Sequence, residues 1–174
     1  MVAFDEQVTS TPIRGPDDLA LAIAPSPRGG TALHDALLTA LLHTGKERSM
    51  VVAFTDGGDN MSWLGEDAVL EVARRTSAVL HAVAILPPAL SARAERTELR
   101  FLRQLAQSTG GDLWTAPDAA GLLATFGGIL DAMRHRYLLR FEPESSRPGW
   151  HRLRVRLLGA KGALAARPGY WVEP

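Results

Sequence analysis

The chain has 174 residues, of which 46% are hydrophobic and 22% charged, and its 19 basic residues balance 19 acidic ones. Those proportions suit one globular domain with a small appendage, and a net charge of zero supplies no general pull toward nucleic acid or an anionic membrane. Cysteine is absent, which removes disulfide scaffolds, thiol catalysis and cysteine-ligated zinc or iron–sulfur centres.

Val2–Phe4 is short and apolar and reads as a buried strand. Val8–Arg14 is extended and polar with Pro12 inside it, which suits an edge strand. Pro16-Asp17-Asp18 opens a short helix over Leu19–Ala24, with carboxylates in its first turn, and Pro25–Gly30 is a loop by composition. Thr31–Thr44 is a helix, with Leu33, Leu37, Leu38, Leu41 and Leu42 at helical spacing, Thr31 as its N-cap and Gly45 closing it. Met50–Thr55 is a continuous apolar run, the pattern of a strand covered on both faces, and Asp56–Asn60 is a turn. A helix over Glu66–Thr76 and a second apolar strand over Val79–Leu86 follow.

The second half of Ala89–Ser108 is helical, with Leu99, Leu102, Leu105 and Ala106 inward, and Gly110-Gly111 ends it. Asp112–Thr115 is a short strand and Asp118–Arg136 a helix, although Gly127-Gly128 costs it about 1 kcal/mol per residue against Ala. Beyond residue 136 the pattern becomes strands, Tyr137–Phe141, His151–Leu158 and Leu164–Val172. In the second of these, Leu153, Val155 and Leu157 alternate with Arg152, Arg154 and Arg156, so the arginine row reads as the wet face of an antiparallel strand. The expected fold is α/β: residues 1–136 form a doubly wound, Rossmann-like, mostly parallel sheet with helices on both faces, and residues 137–174 form a small antiparallel β extension.

In open α/β sheets ligands bind beyond the carboxyl ends of the strands. Asp56 lies there, directly after Met50–Thr55, and Thr31 heads the preceding helix after Gly29-Gly30. A hydroxyl and a carboxylate on one rim are hard oxygen ligands, suited to Mg²⁺ or Mn²⁺. Asp35, one turn past Thr31, reads as a local hydrogen-bonding residue or as support for that rim. Asp59 and Asn60 either reach such an ion or serve as turn and cap residues, and the turn chemistry favours the second. Trp63, with Leu64, lines a partner-binding rim or packs in the core. His34, His43, His81, His135 and His151 have no metal-ligand spacing, and His81 reads as a hydrogen-bonded interior or edge residue. No nucleophile elbow, phosphate loop or dinucleotide fingerprint occurs.

The series Gly29-Gly30-Thr31-Ala32-Leu33-His34-Asp35-Ala36-Leu37, then Val51-Val52-Ala53-Phe54-Thr55-Asp56-Gly57-Gly58-Asp59-Asn60, resembles the von Willebrand factor type A (VWA) domain. Ser108-Thr109-Gly110-Gly111, Arg136-Tyr137-Leu138-Leu139 and Arg167-Pro168-Gly169-Tyr170 are similar to its bacterial VWFA-related branch of acidobacterial type. The resemblance implies a metal-ion-dependent adhesion site, with Thr31 and Asp56 as metal ligands, Mg²⁺ or Mn²⁺ as the ion, and an acidic side chain of a protein partner completing the coordination. It implies an adhesion or assembly module rather than an enzyme, in an exported or envelope-associated setting. One element of that pattern, Asp-x-Ser-x-Ser on a central strand, does not occur in the 174 residues. By the resemblance, that strand belongs between Val2–Phe4 and Met50–Thr55, which then either pair directly or lack a partner.

Three functions compete at this level. The first is the interaction module, with Asp59 and Trp63 on its rim. The second is a Mg²⁺-dependent hydrolase or phosphotransferase using Asp56, with Arg28, Arg74 or Arg75 for phosphate. The third is a degenerate structural domain that binds without metal. No apolar run reaches the roughly 18 residues of a membrane span, and Met1–Glu6 has no leader character, so neither membrane insertion nor a signal peptide is expected. Of the basic residues only Lys46 and Lys161 are lysines; the arginine and alanine bias suits a GC-rich bacterial genome and implies no nucleic-acid partner.

Overall fold

A computed structural model describes residues 1–18, 29–45, 49–85, 98–143, 147–159 and 161–174. Two short strands open the chain, β1 (Val2–Phe4) and β2 (Val8–Ser10), followed by α1 (Leu33–Leu42) and β3 (Met50–Thr55). Then come α2 (Glu66–Arg75), β4 (Val79–Ile85), α3 (Glu98–Thr109), β5 (Leu113–Ala116) and α4 (Ala119–Arg134). The last elements are β6 (Gly149–Arg152) and β7 (Gly169–Val172). The helix expected over Leu19–Ala24, Arg28 of the loop before α1, and the segment 86–97 lie outside the described residues.

Strands β3, β4 and β5 form a parallel sheet in that order, with Met50 opposite Val79 and Ala82 opposite Leu113 at the starts of the two ladders. β1 and β2 form a separate antiparallel hairpin, as do β6 and β7. The molecule is thus a mixed α/β structure, with a three-stranded parallel sheet, two small antiparallel sheets and helices. Side chains of β4 alternate between two apolar clusters, as the two-residue strand period requires. Leu80, Ala82 and Ala84 join Leu33, Leu37 and Leu41 of α1, Val69 and Leu70 of α2, and Leu99, Leu102 and Leu105 of α3. Val83 points the other way, to Ala116 and to Ile129 of α4. A strand buried on both faces must be apolar without alternation, which explains VLHAVAI.

The helices differ from expectation mainly at their ends. α1 starts at Leu33 rather than Thr31 and stops at Leu42, and its N-cap, Ala32, has no side-chain capping bond. Thr31 does not cap it; a carboxylate from another loop does, as described below. α2 has Glu66 and Asp67 in its first turn and Arg74 and Arg75 in its last, matching the helix dipole at both ends. α3 ends where Gly110 takes a φ of +78°, a conformation costly for a residue with a side chain. The buried Thr109 hydroxyl accepts from the Leu80 amide and donates to the Ala106 carbonyl, which ties the end of α3 to β4. α4 is continuous through Gly127-Gly128, and a β-carbon at Gly128 would sit 3.2 Å from the Trp114 ring.

Three strand expectations need correction. Residues 137–143 contain no strand, and Tyr137 is 91% exposed. Only Gly149–Arg152 and Gly169–Val172 are strands where His151–Leu158 and Leu164–Val172 were expected. Alternation marks a chain able to lie on a sheet, but a strand needs a neighbouring ladder; among the described residues the β6–β7 ladder ends at the Arg152–Gly169 pair, followed by a single backbone bond from the Leu153 amide to the Pro168 carbonyl. Likewise β2 stops at Ser10, short of Arg14. The short β6–β7 pair is fastened to α2: the Arg75 guanidinium lies 4.2 Å from the Trp171 ring centroid, and Arg167 donates to the Ala73 carbonyl at 3.0 Å. None of the described helices is long and apolar enough to cross a membrane.

Candidate functional site

The carboxyl end of β3 runs into Asp56-Gly57-Gly58, and Gly57 has a φ of +94°. There the chain reverses, with the Gly57 amide donating to the Thr55 hydroxyl and the Gly58 amide to Asp56 Oδ1. The loop then folds back on the start of α1. The Thr31 amide donates to Asn60 Oδ1 at 2.7 Å, and the Thr31 carbonyl accepts from the amides of Asn60 and Met61. Thr31 and the loop bearing Asp56 therefore share one lip.

The polar residues around them are spent on building that lip. Asp59 Oδ2 accepts from the His34 amide at 3.0 Å and Oδ1 from the Ser62 amide, so Asp59 caps α1 from outside and closes its own turn. This is the turn-and-cap role expected of Asp59, and it removes the need for Thr31 as a cap. Burial of Asp59 opposes its ionisation, but hydrogen bonds from Ser62 and His34 and the nearby His34 ring outweigh it and hold the carboxyl below the ordinary range. His34 Nδ1 faces Asp59 Oδ2 and the Leu64 carbonyl, both acceptors, so that nitrogen carries the proton.

Asp35 does more than make local bonds. Its two carboxylate oxygens accept from the amides of Trp63 and Leu64, at 2.9 and 3.1 Å, and its own amide donates to the Ser62 hydroxyl. It is the brace that fixes the far end of the loop. Support for the rim was one of its two readings, but the partners were not legible, because nothing in the sequence pairs position 35 with positions 62–64.

Trp63 is 96% exposed. That exposure rules out the core reading; the ring stands in water on the loop after β3, and Met61 and Leu64 of the same loop are exposed too. Arg74 and Arg75 are not at the lip. They lie at the other end of α2, over the rings of Trp150 and Trp171. His81 is a buried residue of β4, and its Nδ1 accepts from the Asp112 amide and Trp114 Nε1. Burial first, then the Arg136 charge, push its pKa below the ordinary imidazole value.

The donor set can be tested against the implied cation. Asp35 and Asp59 each use both carboxylate oxygens on backbone amides, and one oxygen of Asp56 accepts from Gly58. Among the described residues, the Thr31 hydroxyl and the outer oxygen of Asp56 are then the lip oxygens not already committed to a hydrogen bond. Mg²⁺ demands a near-ideal octahedron and sheds water reluctantly. Two oxygens, one of them neutral, do not fit a tightly held ion. No group of three or more His, Cys, Asp or Glu side chains suited to a metal occurs among the described residues.

No protein-family model matches the chain, and no curated protein does. Among solved structures it is similar to the crystal structure of an uncharacterized membrane spanning protein from Vibrio fischeri. The two are 19% identical over 76% of this chain and 74% of that one, with a TM-score of 0.39. A likeness that loose carries no argument about function.

Proposed function

We propose that this chain is a protein-interaction module of VWA type, built on a doubly wound sheet, and that it docks its partner on the lip formed by Thr31, Asp56 and Trp63. The observation that carries this reading is the near-complete exposure of the Trp63 indole on a loop braced by Asp35, Asp59 and Asn60. A mobile loop would pay to order itself on binding; a braced one has already done so. An indole held in water makes no contribution to the core, whereas buried tryptophan is among the strongest anchors in protein interfaces. The exposed Asp56 carboxylate at the start of the same loop favours a partner with a basic or hydrogen-bond-donating rim. Recognition here runs through protein side chains, because the donors on the lip are too few to hold Mg²⁺ or Mn²⁺.

The test is site-specific photo-crosslinking from position 63 or 61 in cells, identification of the captured protein, and measurement of its affinity for purified chain. Trp63→Ala is expected to weaken binding by about 2 kcal/mol, some thirtyfold. EDTA is expected to leave it unchanged. Equal affinity for wild type and Trp63→Ala would refute the docking surface, and loss of binding in EDTA would refute the metal-free mode.

A further inference from the structure

The opposite end of the parallel sheet carries a second concave surface. The lip lies beyond the carboxyl end of β3, whereas Asp112, immediately before β5, marks the amino ends of the strands. There α2, α3 and the β6–β7 pair border a cleft of about 710 Å³, a volume that takes a small organic molecule. Local sequence builds its walls. Gly111 lets the turn between α3 and β5 lie against the Leu80 carbonyl, where any β-carbon would collide. Gly169 does the same beneath the Trp150 ring and so fixes that indole as a wall. Alternation along β6 then puts Arg152 on the same strand face as Trp150.

Charge and shape narrow the occupant. Arg74 enters from the last turn of α2, its guanidinium 5.9 Å from the Trp150 ring centroid, and Arg152 enters from β6. Against these two cations the described lining sets one carboxylate, Asp112, of which one oxygen already accepts from the Leu113 amide. Gln104 and Gln107, about one turn apart on α3, add side-chain amides from one helical face. Leu164 and Pro168, with the Trp150 ring, supply an apolar side. In the adjoining β7 segment, Arg167 Nε and Trp171 Nε1 are buried with no acceptor among the described residues, so this junction holds more donors than it uses. A surplus of one positive charge suits a monoanion better than a dianion, and guanidinium forks match a planar carboxylate. We propose that the cleft between α2, α3 and β6 binds a small monocarboxylate with an apolar body. Arg74 and Arg152 take the carboxylate, the glutamine amides donate to it, and the body lies against Trp150, Leu164 and Pro168. Arg152 thereby gains a role beyond the wet face of a strand.

The probe is phenylbutyrate, titrated into isotope-labelled protein, with the indole N–H signals of Trp150 and Trp63 reporting on the cleft and on the lip. The Trp150 signal is expected to move saturably and the Trp63 signal to stay. Phenylbutyramide, the neutral isostere, is expected to bind about tenfold more weakly, and phenylbutyl phosphate no more tightly than the acid. Arg152→Gln is expected to weaken the acid about tenfold as well. Because Arg74 also packs on Trp150, the sign of the field is tested at the exposed Gln104 instead. Gln104→Lys is expected to tighten the acid about threefold and Gln104→Glu to weaken it about threefold, both effects fading in high salt and absent for the amide. Equal binding of acid and amide, tighter binding of the phosphate, movement of Trp63 in place of Trp150, or no saturable response to the acid would each overturn the assignment.

Discussion

β3 and β4 are neighbours of nearly the same composition, MVVAFT and VLHAVAI, yet they occupy different environments. Leu80, Ala82, Val83 and Ala84 of β4 are fully buried, whereas Phe54 of β3 is 40% exposed and Val51, Val52 and Ala53 are only partly covered. The sequences do not account for the difference. β4 has a strand on each side and helices over both faces, while β3, among the described residues, has a ladder on one edge only. An apolar run states a capacity for burial, and the number of neighbours decides how much of it is used.

The sharpest way to probe this contrast is truncation. Leu80→Ala is expected to cost about 2–5 kcal/mol, the range for a fully enclosed leucine whose site cannot collapse. Val51→Ala in β3 should cost only about 1 kcal/mol, since its side chain has surrendered less surface. Urea unfolding of both variants reads the difference, and equal losses would mean that β3 is as enclosed as β4 in solution.

The next contrast is in pH. His81 has no counterpart in β3. Because burial and Arg136 lower its pKa in the folded state, the unfolded chain binds the proton more tightly. Stability from this group is therefore full above about pH 6.5, the ordinary imidazole value, and is lost as pH falls from there toward the depressed folded value. Protonation would also cost Nδ1 its acceptor role toward the Asp112 amide and Trp114. The urea midpoint should fall through that window in wild type and flatten in His81→Gln. An unchanged slope in the variant would remove His81 from the account.

The loop after β3 asks whether hydrogen bonds hold what packing does not. Asp35→Ala leaves the Trp63 and Leu64 amides without their carboxylate and is expected to cost about 1–2 kcal/mol, with faster exchange at those amides. Asp59 contributes with the opposite pH sense to a raised group: its folded pKa is lowered, so its stability is present above the ordinary carboxylate value and disappears as pH falls through the folded one. Asp59→Asn should shallow that acid limb. The smallest effect belongs to Trp63→Ala, expected within about 0.5 kcal/mol of wild type because the indole touches so little. A larger loss of stability would give Trp63 a structural role and weaken its reading as a docking anchor.

Legibility followed the range of the interactions. The helix over Glu66–Arg75 could be read almost to the residue, because its periodicity and end charges are local. The strands at Met50 and Val79 were equally plain. The three C-terminal strands were overread, because alternation at Leu153, Val155 and Leu157 is also local and says nothing of a partner. At the lip, Asp59 was identifiable by its turn chemistry. The brace from Asp35 to the amides of residues 63 and 64 was not, since it spans 28 and 29 positions.

By itself the sequence determined the order of helices and strands, the apolar faces that must be buried, and the absence of thiol chemistry, all of which depend on residue type and short spacing. Tertiary structure alone decided which apolar strand is enclosed, that Asp59 rather than Thr31 caps α1, that the Trp63 ring faces water, and that among the described residues β1 and β3 do not pair. Those outcomes depend on which distant backbone groups meet, and hydrogen-bond partners tens of residues away leave no periodic trace in a chain.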